Sequence, residues 1–146
     1  MLTRKTTLYP LIFICLLLIT FSCKQENPDK ILKHVSGYWE IEEVRTTEGE
    51  SKTFTMNMVV DYIEIDDKKG FRKKVAPQPD GTYLVNDDAE AIFVEIKDNI
   101  VQLLYSTPFD QWTETVIKAN KSQLVVKNTD GTVYSYKRFE NIPLIK

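Results

Sequence analysis

One histidine and two cysteines in 146 residues close off several chemistries at the start. With His34 alone, a histidine-dependent triad and a multi-histidine metal centre are both excluded. Cys15 sits inside an N-terminal apolar run and Cys23 just after it, so the chain beyond Cys23 has no thiol for a nucleophile, a thiolate metal site or a disulfide. Such a domain must be held by packing, which roughly 110 ordered residues can supply. Basic charge is also scarce: 19 Lys+Arg against 21 Asp+Glu leave a net charge of -2. That balance argues against nucleic acid as a partner, and against anionic lipid met through the domain surface. There is no internal repeat and no low-complexity tract.

What stands at the N-terminus has the order of a secretory signal: Arg4 and Lys5, an apolar run from Leu8 to Ile19, then Thr20-Phe21-Ser22-Cys23. The run is shorter than the ~20 residues a membrane-crossing helix needs, and Pro10 lies near its start. Ser22-Cys23 resembles the lipobox of bacterial lipoproteins, whose cysteine is acylated and becomes the first residue after cleavage. Thr20 and Phe21 depart from that pattern, standing where an aliphatic and a small residue are usual. The looser form resembles lipoboxes of Bacteroidota. The resemblance implies a signal peptide over 1–22, acyl chains such as palmitate on Cys23, and attachment to a membrane of the bacterial cell envelope, the outer membrane first. Loss of Arg4 and Lys5 leaves 17 cations against 21 carboxylates, a charge of -4.

Residues 24–30 are polar, contain Pro28 and show no periodicity, so a tether is expected, with a lipidated cysteine and flexible linker over 23–34. Ile31 to Val35 is open between a helical turn and extended linker. From Tyr38 the pattern changes to period two, in short runs separated by turn residues at roughly ten-residue spacing. Trp39 and Ile41 share one face; Ile92, Val94 and Ile96 alternate with Phe93, Glu95 and Lys97; Val101, Leu103 and Tyr105 share another face. Thr47 to Met58 forms the one long connection. Eight or nine strands joined by hairpins predict an all-β, up-and-down antiparallel barrel over 35–146.

Gly37-Tyr38-Trp39 in the first strand and Tyr136-Lys137-Arg138 in the last resemble the two ends of a lipocalin or lipocalin-like barrel, most closely the abbreviated lipocalin-like domains of Bacteroidota lipoproteins. The resemblance implies that Trp39 plugs the closed end, that Arg138 lies over its ring, and that Gly37 belongs to the same closure. No Thr-Asp-Tyr motif occurs near the far hairpin, and nothing after Glu140 is long enough for the outer helix of full lipocalins.

Functional candidates follow from this frame. Asp66-Asp67 and Asp87-Asp88-Glu90 fall in turns, match no EF-hand spacing and select no catalytic pair, so neither a metal, a cofactor nor an enzymatic activity is assigned. Aromatic residues on separate strands, Tyr62, Phe93, Tyr105, Trp112, Tyr134 and Tyr136, are candidates to line a ligand cavity or to fill a solid core. Met56 and Met58 are candidates for a soft apolar rim, on a loop expected to cross the mouth opposite Trp39. Two functions fit: a membrane-anchored carrier of a small hydrophobic ligand, or a ligand-free module that engages or inhibits a cell-envelope protein.

Overall fold

The computed structural model describes residues 27–140. The signal segment 1–22 and the lipidation candidate Cys23 lie outside the described residues. The described residues open with a helix, α1 (Pro28–Val35), and continue in ten strands: β1 (Gly37–Arg45), β2 (Ser51–Thr53), β3 (Val60–Asp66), β4 (Lys69–Pro77), β5 (Tyr83–Val85), β6 (Glu90–Lys97), β7 (Ile100–Ser106), β8 (Gln111–Ala119), β9 (Gln123–Asn128) and β10 (Val133–Arg138). All pairings are antiparallel, in the order β10-β9-β8-β7-β6-β4-β3-β1-β2, and β10 pairs back onto β1. Eight strands therefore close a barrel, with β2 and β5 as short additions to β1 and β4. Closure leaves the main sheet without a free edge. The turns fit their residues: Asp98 and Asn99 both take positive φ, at 52° and 62°, between β6 and β7.

α1 corrects the tether reading over 28–34. Asn27 caps the helix by accepting the Asp29 amide at 2.8 Å, Pro28 occupies the first turn, and Ile31 and Val35, four residues apart, are buried against the barrel. The apolar pair at helical spacing outweighed the polar composition around it. α1 packs on β8, β7 and β3 and seals one end of the barrel.

Three donors hold the helix there by meeting carbonyls at its C-terminus, where helical partners run out. Trp39 Nε1 donates to Val35 O at 2.7 Å, and Arg138 donates from Nη1 to Ser36 O at 2.8 Å and from Nη2 to His34 O at 3.0 Å. The Arg138 guanidinium also lies 3.7 Å from the centroid of the Trp39 ring, its cross-strand partner, and Nε reaches Lys121 O at 3.2 Å. Gly37 has φ 133°, and a Cβ there would collide with Arg138 Nη1, so this close approach needs glycine. Above this seal one continuous cluster fills the barrel, including Trp39, Ile63, Val94, Leu103, Leu124 and Tyr136.

The long connection 46–59 does not cross the mouth. β2 pairs on β1, Phe54 N donates to Glu42 O at 2.8 Å, and Asn57 Nδ2 donates to Ile41 O at 2.9 Å. The segment is laid along the β1 backbone, where it occupies main-chain groups left open as β1 and β3 diverge beyond Trp39 and Asp61.

Candidate functional site

Cross-strand register assigns each side chain to a face, because directly paired residues point the same way. Trp39 faces inward and pairs with Asp61; Ile63 pairs with Arg72; Arg72 pairs with Glu90; Leu103 pairs with Glu114. Three carboxylates and an arginine thus enter the barrel interior, and Asp61 and Glu114 are only 4% and 5% exposed. Lys74, one inward position beyond Arg72, pairs with Asp61 both in register and as an ion pair.

Arg72 is the centre of this group. Its Nε forms an ion pair with Glu90, its Nη1 lies 3.7 Å from Glu114 Oε1, and its guanidinium carbon sits 4.4 Å from the Tyr105 ring centroid and 5.7 Å from that of Trp112. Tyr105 and Trp112, cross-strand partners, stack at 4.9 Å with planes 5° apart. A buried guanidinium needs paired charge around it, and here two carboxylates and two ring faces provide it. The environment acts on its neighbours in turn. Burial pushes the Glu114 carboxyl up from its ordinary value of 4.5, with Arg72 and Tyr105 pulling the other way. Burial, joined by the Glu114 charge, pushes the Tyr105 hydroxyl well above 10.0.

Beside this network a cleft of about 510 Å³ opens at the end of the barrel away from α1. Its floor is Arg72, Lys74 and Glu90, and its walls are segment 86–89 and the β7–β8 turn at 107–109. That turn is rigidly built: Thr107 Oγ1 accepts the amides of Phe109 at 3.2 Å and Asp110 at 3.0 Å, while Thr107 N donates to Asp110 O at 2.9 Å. Phe109 is held 95% exposed at its tip. The site accordingly offers cations beside carboxylates at its base and an apolar ring at its lip. Among the described residues, no group of three or more His, Cys, Asp or Glu is placed to hold a metal.

The aromatic candidates divide. Tyr105 and Tyr136 are buried in the interior cluster, and Trp112 and Tyr134 are partly buried against it. Tyr62 and Phe93 are on the outer face. Tyr62 stacks on Tyr38 at 4.6 Å and Tyr38 in turn on Tyr83 at 4.6 Å, a ladder on the outside wall, and Phe93 is 47% exposed. The opposite parity of Asp61 and Ile63 on β3, and of Ile92 and Val94 on β6, puts them there. Met56 and Met58, 87% and 86% exposed, do not line the cleft; the loops at 86–89 and 107–109 do. Asp61, Arg72 and Glu114 were not anticipated as interior residues. A signal existed for two: Asp61 is in phase with Ile63 and Ile65, and Glu114 with Trp112 and Val116.

Two solved structures resemble this fold. A lipocalin-like protein from Bacteroides uniformis is 13% identical, with 73% of this chain and 99% of that one covered at a TM-score of 0.47. An uncharacterized protein from Bacteroides eggerthii is 12% identical, with 71% and 98% covered at 0.45. No curated protein matches the sequence. The family model for the lipocalin-like domain matches residues 35–126, more than half of the chain. With an eight-stranded closed barrel and a matching sequence profile together, the chain belongs to the lipocalin-like domain family.

Proposed function

We propose that this protein is a carrier or receptor of the bacterial cell envelope, anchored by acyl chains on Cys23, that holds a small amphipathic ligand at the open end of the barrel. The lipocalin-like fold is generally a binding fold rather than a catalytic one. The observation that carries the reading is the cleft: an apolar lip at Phe109, a base with Arg72 and Lys74, and about 510 Å³ between them. Because side chains fill the barrel below, the hydrophobic part of the ligand lies in the cleft and along its lip, and its polar head meets Arg72 and Lys74.

Titration with a panel of fluorescent fatty acids and neutral analogues tests this. Phe109→Ser and Lys74→Ala, both at exposed side chains, are expected to weaken binding about tenfold each. No uptake of any probe by the purified protein, together with native mass spectra free of copurified ligand, overturns it.

The second reading, a module engaging an envelope protein, is favoured by the filled barrel and by Met56, Met58, Leu84 and Phe109, all exposed. Crosslinking in intact envelopes that returns a stoichiometric protein partner lost in Met56→Ser/Met58→Ser would support it over the carrier.

A further inference from the structure

The charges of this barrel are not spread evenly along its axis. At the sealed end, residues 27–36, 66–69, 97–100, 118–123 and 137–140 carry nine lysines and arginines against five carboxylates, with a sixth carboxylate, Glu40, ion-paired to Lys137. Around the mouth, loops 45–59, 77–90, 106–111 and 128–132 carry two cations against eight carboxylates, and Arg72 and Lys74 at the cleft floor bring the cations there to four. Lys30, Lys33, Lys97, Lys118 and Lys121 are all exposed. The ends of a nine-residue strand tilted by ~40° are separated by about 21 Å along the axis. That exceeds the ~8 Å screening length at physiological salt, so a surface at one end responds to that end and not to the net charge of -2.

The chain's path points the same way. α1 starts at Asn27 on the sealed end, four residues beyond Cys23, and four residues reach at most about 14 Å. The β6–β7 turn beside it adds apolar contact through Ile96 and Ile100, 37% and 43% exposed around Lys97.

We propose that the sealed end is a docking surface for the anionic phospholipid headgroups of the membrane that carries the anchor, so that the ligand cleft is directed away from that membrane. This rests on the anchored reading above. Exposed Leu84 and Phe109 at the mouth would favour the reverse orientation on hydrophobic grounds alone; the mouth carboxylates and the short tether both oppose it. A ligand therefore exchanges at the mouth with the aqueous side or with a facing protein, not with the leaflet beneath.

The test uses the acylated protein, in a Cys15→Ser background, reconstituted in vesicles with lipid-borne quencher. A fluorophore is attached at Ser122→Cys on the sealed end or at Thr129→Cys at the mouth, with folding checked by circular dichroism. Flotation with the vesicles reports the anchor, and quenching reports orientation. The expected result is at least about threefold stronger quenching at position 122 than at 129, growing with phosphatidylglycerol content over phosphatidylcholine and shrinking in Lys30→Glu/Lys97→Glu/Lys121→Glu. Floating protein with equal or reversed quenching overturns the orientation. A contrast indifferent to both lipid charge and the triple variant overturns the docking surface. Protein that does not float removes the anchor and the proposal with it.

Discussion

Arg138 shows how much a single side chain settles here. It stacks on Trp39 and satisfies carbonyls of His34, Ser36 and Lys121, joining β10 to the end of α1. Lysine keeps the charge but not the planar fork, so Arg138→Lys is expected to lower stability by about 1–3 kcal/mol, read from urea unfolding midpoints. Glu114 gives a second prediction, with a definite sign. Its folded pKa is raised by burial above the ordinary 4.5, so its contribution to stability is fully present below that value and is lost as pH rises through the folded pKa. Unfolding free energies of the wild type minus those of Glu114→Gln should therefore fall as pH rises above 4.5; a difference that grows with pH would contradict the buried placement. The Trp39–Arg138 pairing was legible because Gly37-Tyr38-Trp39 and Tyr136-Lys137-Arg138 resemble the two ends of a lipocalin-like barrel, which implies it. Arg72 was not, since Arg72-Lys73-Lys74 reads as a solvated strand until Glu90 and Glu114, distant in sequence, are brought around it.

Among elements, α1 is the piece whose role exceeds its length. Eight residues are too few for a helix to persist alone, so α1 depends on the barrel contacts of Ile31 and Val35 and on its caps. Val35 is fully buried, and Val35→Asp, which leaves a charge unpaired inside, is expected to cost about 4 kcal/mol or more, visible as a drop in Tm. Lys33→Asp on the exposed side should stay within about 0.5 kcal/mol. The strands were largely readable from period two, and the hairpins from Asp-Gly and Asp-Asn pairs. Alternation separates two faces without saying which is inner, and this is why Tyr62 and Phe93 entered the candidate set. β2 was missed within the long connection because Ser51–Thr53 is exposed throughout and has no apolar face to show.

For the whole molecule, attachment through Cys23 is the prediction that decides its address. Cys23→Ser is expected to abolish metabolic incorporation of labelled palmitate and to release the protein from membranes, and unchanged labelling would remove the anchor from the account. Sequence by itself determined the fold class and the excluded chemistries, which depend on residue type, count and local period, all properties of the linear chain. The closing residues were pointed to by the resemblance of both strand ends to lipocalin-like barrels. The placement of the cleft, the burial of Asp61, Arg72 and Glu114, and the seating of α1 were decided only by tertiary structure. The burial of those three charged residues depends on register between paired strands, and a shift of one residue in that register would turn their side chains to the opposite face; α1 is seated by Trp39 and Arg138, which only the closed barrel brings together at its end.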